Sequence, residues 1–336
     1  MLLLMLAALA VCAFAVWSLG ALYYDLQTFR IVVLPAFALG VMCPAFLVRG
    51  AWRKVLFSVL PCFAVTVWWC ALQPRNDRSW QADVAELPWA DIQGDEVTLH
   101  NVRDFSYRTS VEYTPRWEKR TVRLSKITGV DLFVNYWGSP WMAHPVVSFQ
   151  IEGERPVCFS IETRKELGES YSAIGGFYRQ FELYYVVAEE RDVVRLRASV
   201  REGETSYLYR TLMPAERARE RFMEYVSSVN SLRDHPRWYH ALATNCTTAI
   251  RGQHPAGKRH AWDWRMIVNG KADELLDERG LIVTDGLSFS ELRNRALIND
   301  AAKKAGFSPD FDVQIRRGRP GFQDASARPA SSAPGP

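Results

Sequence analysis

The stretch that decides the fold of the soluble part is residues 143–162, which read AHPVVSFQIEGERPVCFSIE. Apolar and polar side chains alternate on both sides of a central polar turn, which predicts two antiparallel strands joined as a hairpin. The first strand carries His144 on one face and Phe149 on the other. The second strand carries Glu162 on the same face as Ser160.

The length of the turn decides whether His144 and Glu162 meet. If residues 152–154 form the loop, Ile151 pairs with Arg155 and His144 lies directly opposite Glu162. A two-residue loop would shift the pairing by one and place the two side chains on opposite faces of the sheet.

Around the hairpin, short β-branched or aromatic runs predict further strands. These runs are residues 97–107, 121–124, 131–136, 183–187, 193–197 and 206–212. Helices are expected after Pro214 and at residues 244–250, 273–278 and 289–304. The charged run 189–192 is interpreted as a solvated turn. The soluble part is therefore expected to be an α+β domain with an antiparallel sheet.

Three uncharged apolar segments precede this domain, at residues 2–24, 31–48 and 55–72. Each is long enough to cross a bilayer core of about 30 Å. The expected organisation is three transmembrane helices over residues 1–72, a linker over 73–86, the folded domain over 87–315 and a disordered tail over 316–336 that is rich in Pro, Ala, Ser and Arg.

The basic residues between the segments predict the orientation in the membrane. Arg49, Arg53 and Lys54 lie between the second and third segments, so this loop is expected in the cytoplasm of a bacterial inner membrane. Everything after the third segment is then periplasmic. Arg75 and Arg78 follow that segment and favour the opposite orientation.

Charge and cysteine content exclude several classes of protein. The net charge of +4 is small for 336 residues, and basic residues alternate with acidic ones, so no nucleic-acid partner is expected. Of six cysteines, the predicted spans hold Cys12, Cys43, Cys62 and Cys70. Only Cys158 and Cys246 remain in the soluble part, without a CxxC motif or metal-ligand spacing. We expect no disulfide framework, no metal and no cofactor, and the sequence implies no particular oligomeric state.

Cys246 is the candidate nucleophile. It lies in the run Thr-Asn-Cys-Thr-Thr-Ala-Ile at a predicted helix start, where the positive end of the helix dipole favours the thiolate. The same backbone amides could bind an oxyanion. The alternative is that Cys246 is a small buried apolar residue, as a lone cysteine usually is.

His144 is the candidate base, and Glu162 would orient its imidazole as the third member of a Cys, His and acid arrangement. His100 also lies within a predicted strand and competes with His144 for this role. For Glu162 the alternative is an ion pair with Arg164 or Arg179.

Several dispersed motifs, in fixed order, resemble the bacterial family of the Lnb N-terminal periplasmic domain. The motifs are Asn101-Val102-Arg103, Trp117-Glu118, Ala143-His144, Val147-Ser148-Phe149, the run from Ser160 to Lys165, Gly168-Glu169-Ser170-Tyr171, the run from Arg179 to Leu183, and Asn245-Cys246-Thr247-Thr248. The resemblance implies a permuted papain-like thiol fold in which the histidine strand precedes the cysteine helix.

Lnb itself moves an acyl chain of bacterial lipoproteins from the glyceryl ester to the N-terminal amine. By position, the resemblance makes Cys246 the acyl-accepting nucleophile and His144 the base. Glu162 matches a family motif, and its catalytic role is inferred from strand geometry. The chain departs from Lnb in one respect, because Lnb carries its membrane segments after the domain and this chain carries them before it.

The expected function is a membrane-anchored periplasmic thiol acyltransferase or hydrolase that acts on an ester or amide, such as that of a lipid or lipoprotein. One alternative within this class is an amidase or peptidase of cell-wall peptides. The alternative from a different class is a noncatalytic envelope module that binds a lipid or partner.

Overall fold

Three long apolar helices open the chain in the computed structural model, which describes residues 1–26, 28–240, 263, 265 and 269–322. They are α1 (Leu2–Asp25), α2 (Arg30–Leu47) and α3 (Ala51–Ala71). All three are long and apolar enough to cross a membrane, as expected from the sequence. They pack together around Ala21, Phe37 and Cys62.

A large sheet forms the centre of the remaining chain. Its strands are β1 (Trp89–Gln93), β2 (Glu96–Arg103), β5 (Trp117–Arg123), β6 (Ile127–Trp137), β7 (Ser139–Ile151), β8 (Val157–Arg164), β9 (Glu182–Ala188) and β10 (Glu204–Arg210), while β3 (Ser106–Tyr107) and β4 (Tyr113–Thr114) pair separately. The spatial order is β1-β2-β9-β8-β7-β6-β10, with β5 also on β2. Only the short contact between β2 and β9 is parallel within these residues, so the expected antiparallel sheet is present.

Helices cover both faces of the sheet, which confirms the α+β class. They are α4 (Glu190–Arg195), continued by a π-helical turn at Leu196–Val200, then α5 (Ala215–Asp234), Ala272–Glu278, Phe289–Ala296, Asn299–Ala305 and Phe311–Gln314. Short 3-10 turns lie at Ala82–Val84, Leu124–Lys126, Gly175–Phe177 and Asn269–Lys271. The helix expected at residues 244–250 lies outside the described residues.

The expected strand at 193–197 is wrong, since this segment is α4 followed by the π-helical turn. Val193 and Val194 favour a strand locally, but both pack into the core through the helical arrangement, and tertiary packing overrides propensity. The run 189–192 is not a solvated turn either. Asp192, for example, is fully buried and accepts hydrogen bonds from the Arg103 guanidinium.

The expected helix at 289–304 is two helices with a break at Leu297 and Ile298. At the break, the backbone N–H of Ile298 donates to the carbonyl of Ser206, and Leu297 forms an isolated bridge with Tyr207. The chain therefore leaves the helix to bond with the edge strand β10.

Apolar side chains pack against both faces of the hairpin formed by β7 and β8. On one face, α5 brings Phe222 edge-to-face against Phe149 and Phe159, with ring centroids 5.2 and 5.6 Å apart. Pairs of this kind contribute about 0.5–1.5 kcal/mol each beyond their buried area. On the other face, Val146 and Cys158 pack with α4 and the C-terminal helices.

The loop between β8 and β9 rests on the membrane helices. The Arg179 guanidinium donates to the carbonyls of Trp69, Cys70 and Leu72, which satisfies acceptors at the end of α3. The Tyr178 ring stacks on Tyr24 of α1 with centroids 5.3 Å apart. The end of the sheet from which this loop emerges therefore lies next to the membrane helices.

The ordered packing continues past Ile315. Arg316 is 4% exposed and binds the buried carboxylates of Asp131 and Glu190 at 2.9 and 2.6 Å. Phe322 is also buried against the sheet. The remaining residues of the expected tail, 323–336, lie outside the described part.

Replacing Arg316 by methionine leaves Asp131 and Glu190 buried without their shared cation, although Arg210 still reaches Asp131. We expect Arg316→Met to lower the free energy of unfolding by about 3–5 kcal/mol, measured by denaturant unfolding of the protein in detergent. Arg317→Met is the matched control, because Arg317 is exposed, and it should leave stability unchanged. Equal stability of the two variants would contradict this role for Arg316.

Candidate functional site

The register of β7 and β8 is the one predicted for a three-residue loop. Val146 pairs with Ser160 and Phe149 with Val157, and the same register extended by two residues places His144 opposite Glu162. The His144 Nε2 atom lies 3.0 Å from Glu162 Oε1. The predicted meeting of these two side chains is therefore confirmed.

Ser160 completes the polar contact around the imidazole. Its Oγ lies 2.6 Å from His144 Nε2, and its O–H donates to Glu162 Oε1 at 2.7 Å. Because the Ser160 hydroxyl donates its hydrogen bond to Glu162, its oxygen accepts from the imidazole, which assigns the imidazole proton to Nε2. No partner of Nδ1 occurs among the described residues, so its lone pair is available to a substrate or nucleophile.

Arg197 is the cation next to Glu162. Its guanidinium donates to Glu162 Oε1 at 3.0 Å and to Glu204 at 3.3 Å. Glu162 does not form the alternative ion pair with Arg164 or Arg179. Arg164 donates to the carbonyls of Val84 and Ala85, and Arg179 donates to the end of α3.

Burial and charge set the protonation of the pair. Burial lowers the pKa of His144 below its ordinary value more than the Glu162 carboxylate raises it, and Arg197 lowers it further. Burial alone would raise the pKa of Glu162, but His144, Arg197 and the hydrogen bond from Ser160 hold it well below its ordinary value. A neutral imidazole beside an ionised carboxylate is the state that a general base needs at neutral pH.

A cavity of about 410 Å³ opens at this pair. His144 and Glu162 line it together with Trp141, Tyr171 and Tyr239. Its position near the β8–β9 loop places it at the end of the sheet next to the membrane helices.

Cys246, the candidate nucleophile, lies outside the described residues. Cys158 lies in the described part and is completely buried, and burial raises the pKa of its thiol well above the ordinary value. Cys158 therefore has the character of an apolar core residue.

The competing histidine has a different setting. His100 stacks on Trp89 with centroids 3.7 Å apart and contacts the exposed Asp91 at 3.0 Å. It does not line the cavity that holds His144.

Sequence reasoning missed Arg197 and the contact made by Ser160. Strand alternation already placed Ser160 on the face of Glu162, so that signal was present. No local pattern marks Arg197, because its partner lies 35 residues away and its segment read as a strand.

Comparison with known families supports the resemblance. Residues 113–269 match the family described as the Lnb N-terminal periplasmic domain. The match covers slightly less than half of the chain and includes His144, Ser160, Glu162 and Arg197. Comparisons with curated proteins and with solved structures give no significant match.

The Lnb-like region, residues 113–269, begins at β4 and leaves out the three apolar helices. The family that it matches is described as a periplasmic domain, and the helices are long and apolar enough to cross a membrane. Together they indicate a membrane-anchored periplasmic domain.

The charges around His144 give an expected order of pKa values. Glu162→Gln removes an attractive carboxylate and should lower the pKa of His144, whereas Arg197→Met removes a repulsive cation and should raise it. The ¹³C-labelled histidine resonances of the protein in detergent micelles, followed by NMR against pH, measure both shifts. The His144 signal is assigned by its loss in His144→Gln, and the His100 signal serves as an internal control. A His144 pKa that moves the other way in either variant would refute this electrostatic account.

Proposed function

We propose that this protein is a membrane-anchored periplasmic thiol acyltransferase or hydrolase, with Cys246 as nucleophile, His144 as base and Glu162 as the acid that orients His144. The observation that carries the proposal is the buried His144–Glu162 contact of 3.0 Å, which lines a cavity and leaves Nδ1 available. The substrate would be an ester or amide of a lipid or lipoprotein.

The residues on either side of positions 241–268 support a position for Cys246 near this cavity. Before the segment, Tyr239 lines the cavity and its N–H donates to the carbonyl of Phe181, at the start of β9. After the segment, the carbonyl of Gly270 accepts from Tyr136 Oη, close to the start of β7. Both attachments lie at the end of the sheet that carries His144. Cys246 follows Tyr239 by seven residues, a tether of roughly 25 Å at full extension.

The chemistry follows from the available Nδ1 atom. His144 accepts the thiol proton at Nδ1, and the thiolate attacks the carbonyl carbon of the substrate. As the ester or amide bond breaks, His144 returns the proton to the leaving alcohol or amine and a thioester remains on Cys246. An incoming amine or water then attacks the thioester, gives its proton to His144 and releases the thiol.

Glu162 stabilises the imidazolium that forms during both steps and fixes the ring orientation. The order of the chain, with the histidine strand before Cys246, supports a permuted papain-like arrangement. It is the order that the family resemblance implies.

The site's position supports a substrate that is held at the membrane. Large apolar side chains are exposed at the same end of the domain, with Trp141 52%, Ile174 60% and Phe177 43% exposed. Arg49 between α2 and α3, with Arg53 and Lys54 in the first turn of α3, supports a multi-pass inner-membrane protein with this domain in the periplasm. Arg78, which favoured the opposite orientation, pairs with Glu166 and Glu182 of the domain.

The pH dependence of iodoacetamide alkylation of Cys246 tests the proposal in the full chain in detergent. Transfer of the thiol proton to His144 gives a thiolate–imidazolium pair, which should make Cys246 react well below the pH of about 8.5 at which a free thiol titrates. His144→Ala should abolish this shift, and Glu162→Gln should reduce it. His100→Ala is the matched control and should leave the profile unchanged.

If Cys246 is inert, or titrates like a free thiol in all variants, the enzyme proposal fails and a noncatalytic binding module is the better account. If the shift is present, assays with lipid esters, lipoproteins and cell-wall peptides identify the substrate among these three.

A further inference from the structure

A second cleft, of about 850 Å³, adjoins the His144 cavity. Four basic side chains line it, Arg108, Arg195, Arg201 and Lys303, against two acidic ones, Glu202 and Glu204. It lies at the same end of the sheet, because Trp137, the last residue of β6, lines both cavities. The cleft is therefore positively charged and close to the membrane side of the domain.

Arg195 is the unusual member of this set. It is only 7% exposed, and its Nε and Nη1 atoms are buried without a hydrogen-bond partner. Nη2 donates to the carbonyl of Tyr107 at 3.0 Å, and the guanidinium lies 3.5 Å from the centre of the Phe307 ring. An aromatic face and a carbonyl contact this cation directly. Asp192 also attracts it, but that carboxylate is hydrogen-bonded to the Arg103 guanidinium.

A buried guanidinium without an anionic partner is unfavourable by itself, because burial removes its hydration. Burial lowers the pKa of Arg195 more than the nearby Asp192 raises it. An anion that enters the cleft would supply the missing negative charge, and a small shift of the enclosed guanidinium would let its flat edge bond the oxygens of a phosphate.

Other groups at the cleft suit the same ligand. The Thr109 hydroxyl oxygen accepts from the backbone N–H of Glu112, so its own proton can be donated to a ligand oxygen. Lys303 is exposed at the rim and forms no ion pair with the described carboxylates. Arg201 is held by Glu204 at 3.3 Å.

We propose that this cleft binds a phosphate group, either as a phosphate ion or as the head-group phosphodiester of a phospholipid. Arg195 lies beneath the phosphate and Lys303 holds it at the rim. Arg108, which pairs with Glu112 at 3.0 Å, can exchange that carboxylate for the phosphate. The site does not depend on the reactivity of Cys246. Because the two cavities share Trp137, Arg201 and Glu204, a ligand held at Arg195 has room to extend toward His144.

Isothermal titration of the full chain in dodecylmaltoside, a detergent without phosphate, tests the site. The two probes are inorganic phosphate and sn-glycero-3-phosphoglycerol, the water-soluble head group of phosphatidylglycerol, at constant ionic strength. Binding of the head group alone assigns the site to a lipid, and binding of inorganic phosphate assigns it to the free ion. Either result supports a phosphate site.

Matched variants separate this site from general attraction to a basic surface. Lys303→Gln should weaken binding several-fold, whereas Lys304→Gln, the same charge change on the exposed neighbour, should not. Arg195→Leu should weaken binding roughly tenfold or more, with thermal unfolding as the check on its fold. The proposal is overturned if neither probe binds at millimolar concentration, or if Lys303→Gln and Lys304→Gln bind alike.

Discussion

The pairing of β7 with β8 is the constraint on which the candidate site depends. A strand presents alternate residues to opposite faces, so a shift of one residue would separate His144 from Glu162. The aromatic contacts of Phe149 and Phe159 with α5 resist such a shift, because it would bring these rings to the polar face. The apolar core on one face thereby fixes the geometry of the titratable groups on the other.

The second face of the hairpin also carries polar and charged side chains among its apolar contacts, and these depend on matched charges. Burial would raise the pKa of Glu162, but His144 and Arg197, which approaches from the π-helical turn after α4, hold it well below its ordinary value. Further along the sheet, Arg316 joins Asp131 and Glu190 in the same layer. Pairs of this kind add little stability beyond what apolar residues would give, but losing one partner is strongly destabilising. Arg316 thus connects the C-terminal end of the described chain to buried carboxylates of β6 and α4.

Local patterns in the sequence were sufficient for the membrane helices and for the hairpin. Uncharged runs of the right length predicted α1 to α3, and strand alternation with an odd loop predicted the His144–Glu162 contact. Contacts between distant segments could not be read in this way. Arg197 meets Glu162 only because Val193 and Val194 enter the core as a helix despite their strand propensity, and Arg195 meets Phe307 across more than 100 residues.

The central claim is that Cys246 and His144 belong to one site, and a short-range thiol crosslink tests it most directly. With the other five cysteines replaced by alanine, His144→Cys and Gln150→Cys are each treated with dibromobimane, which joins thiols a few ångströms apart. Gln150 is the control, because it lies on the same strand and face about 20 Å away. The expected result is a fluorescent crosslink between position 144 and Cys246 and none from position 150. Absence of the crosslink at position 144, or equal crosslinking at both positions, would contradict the account.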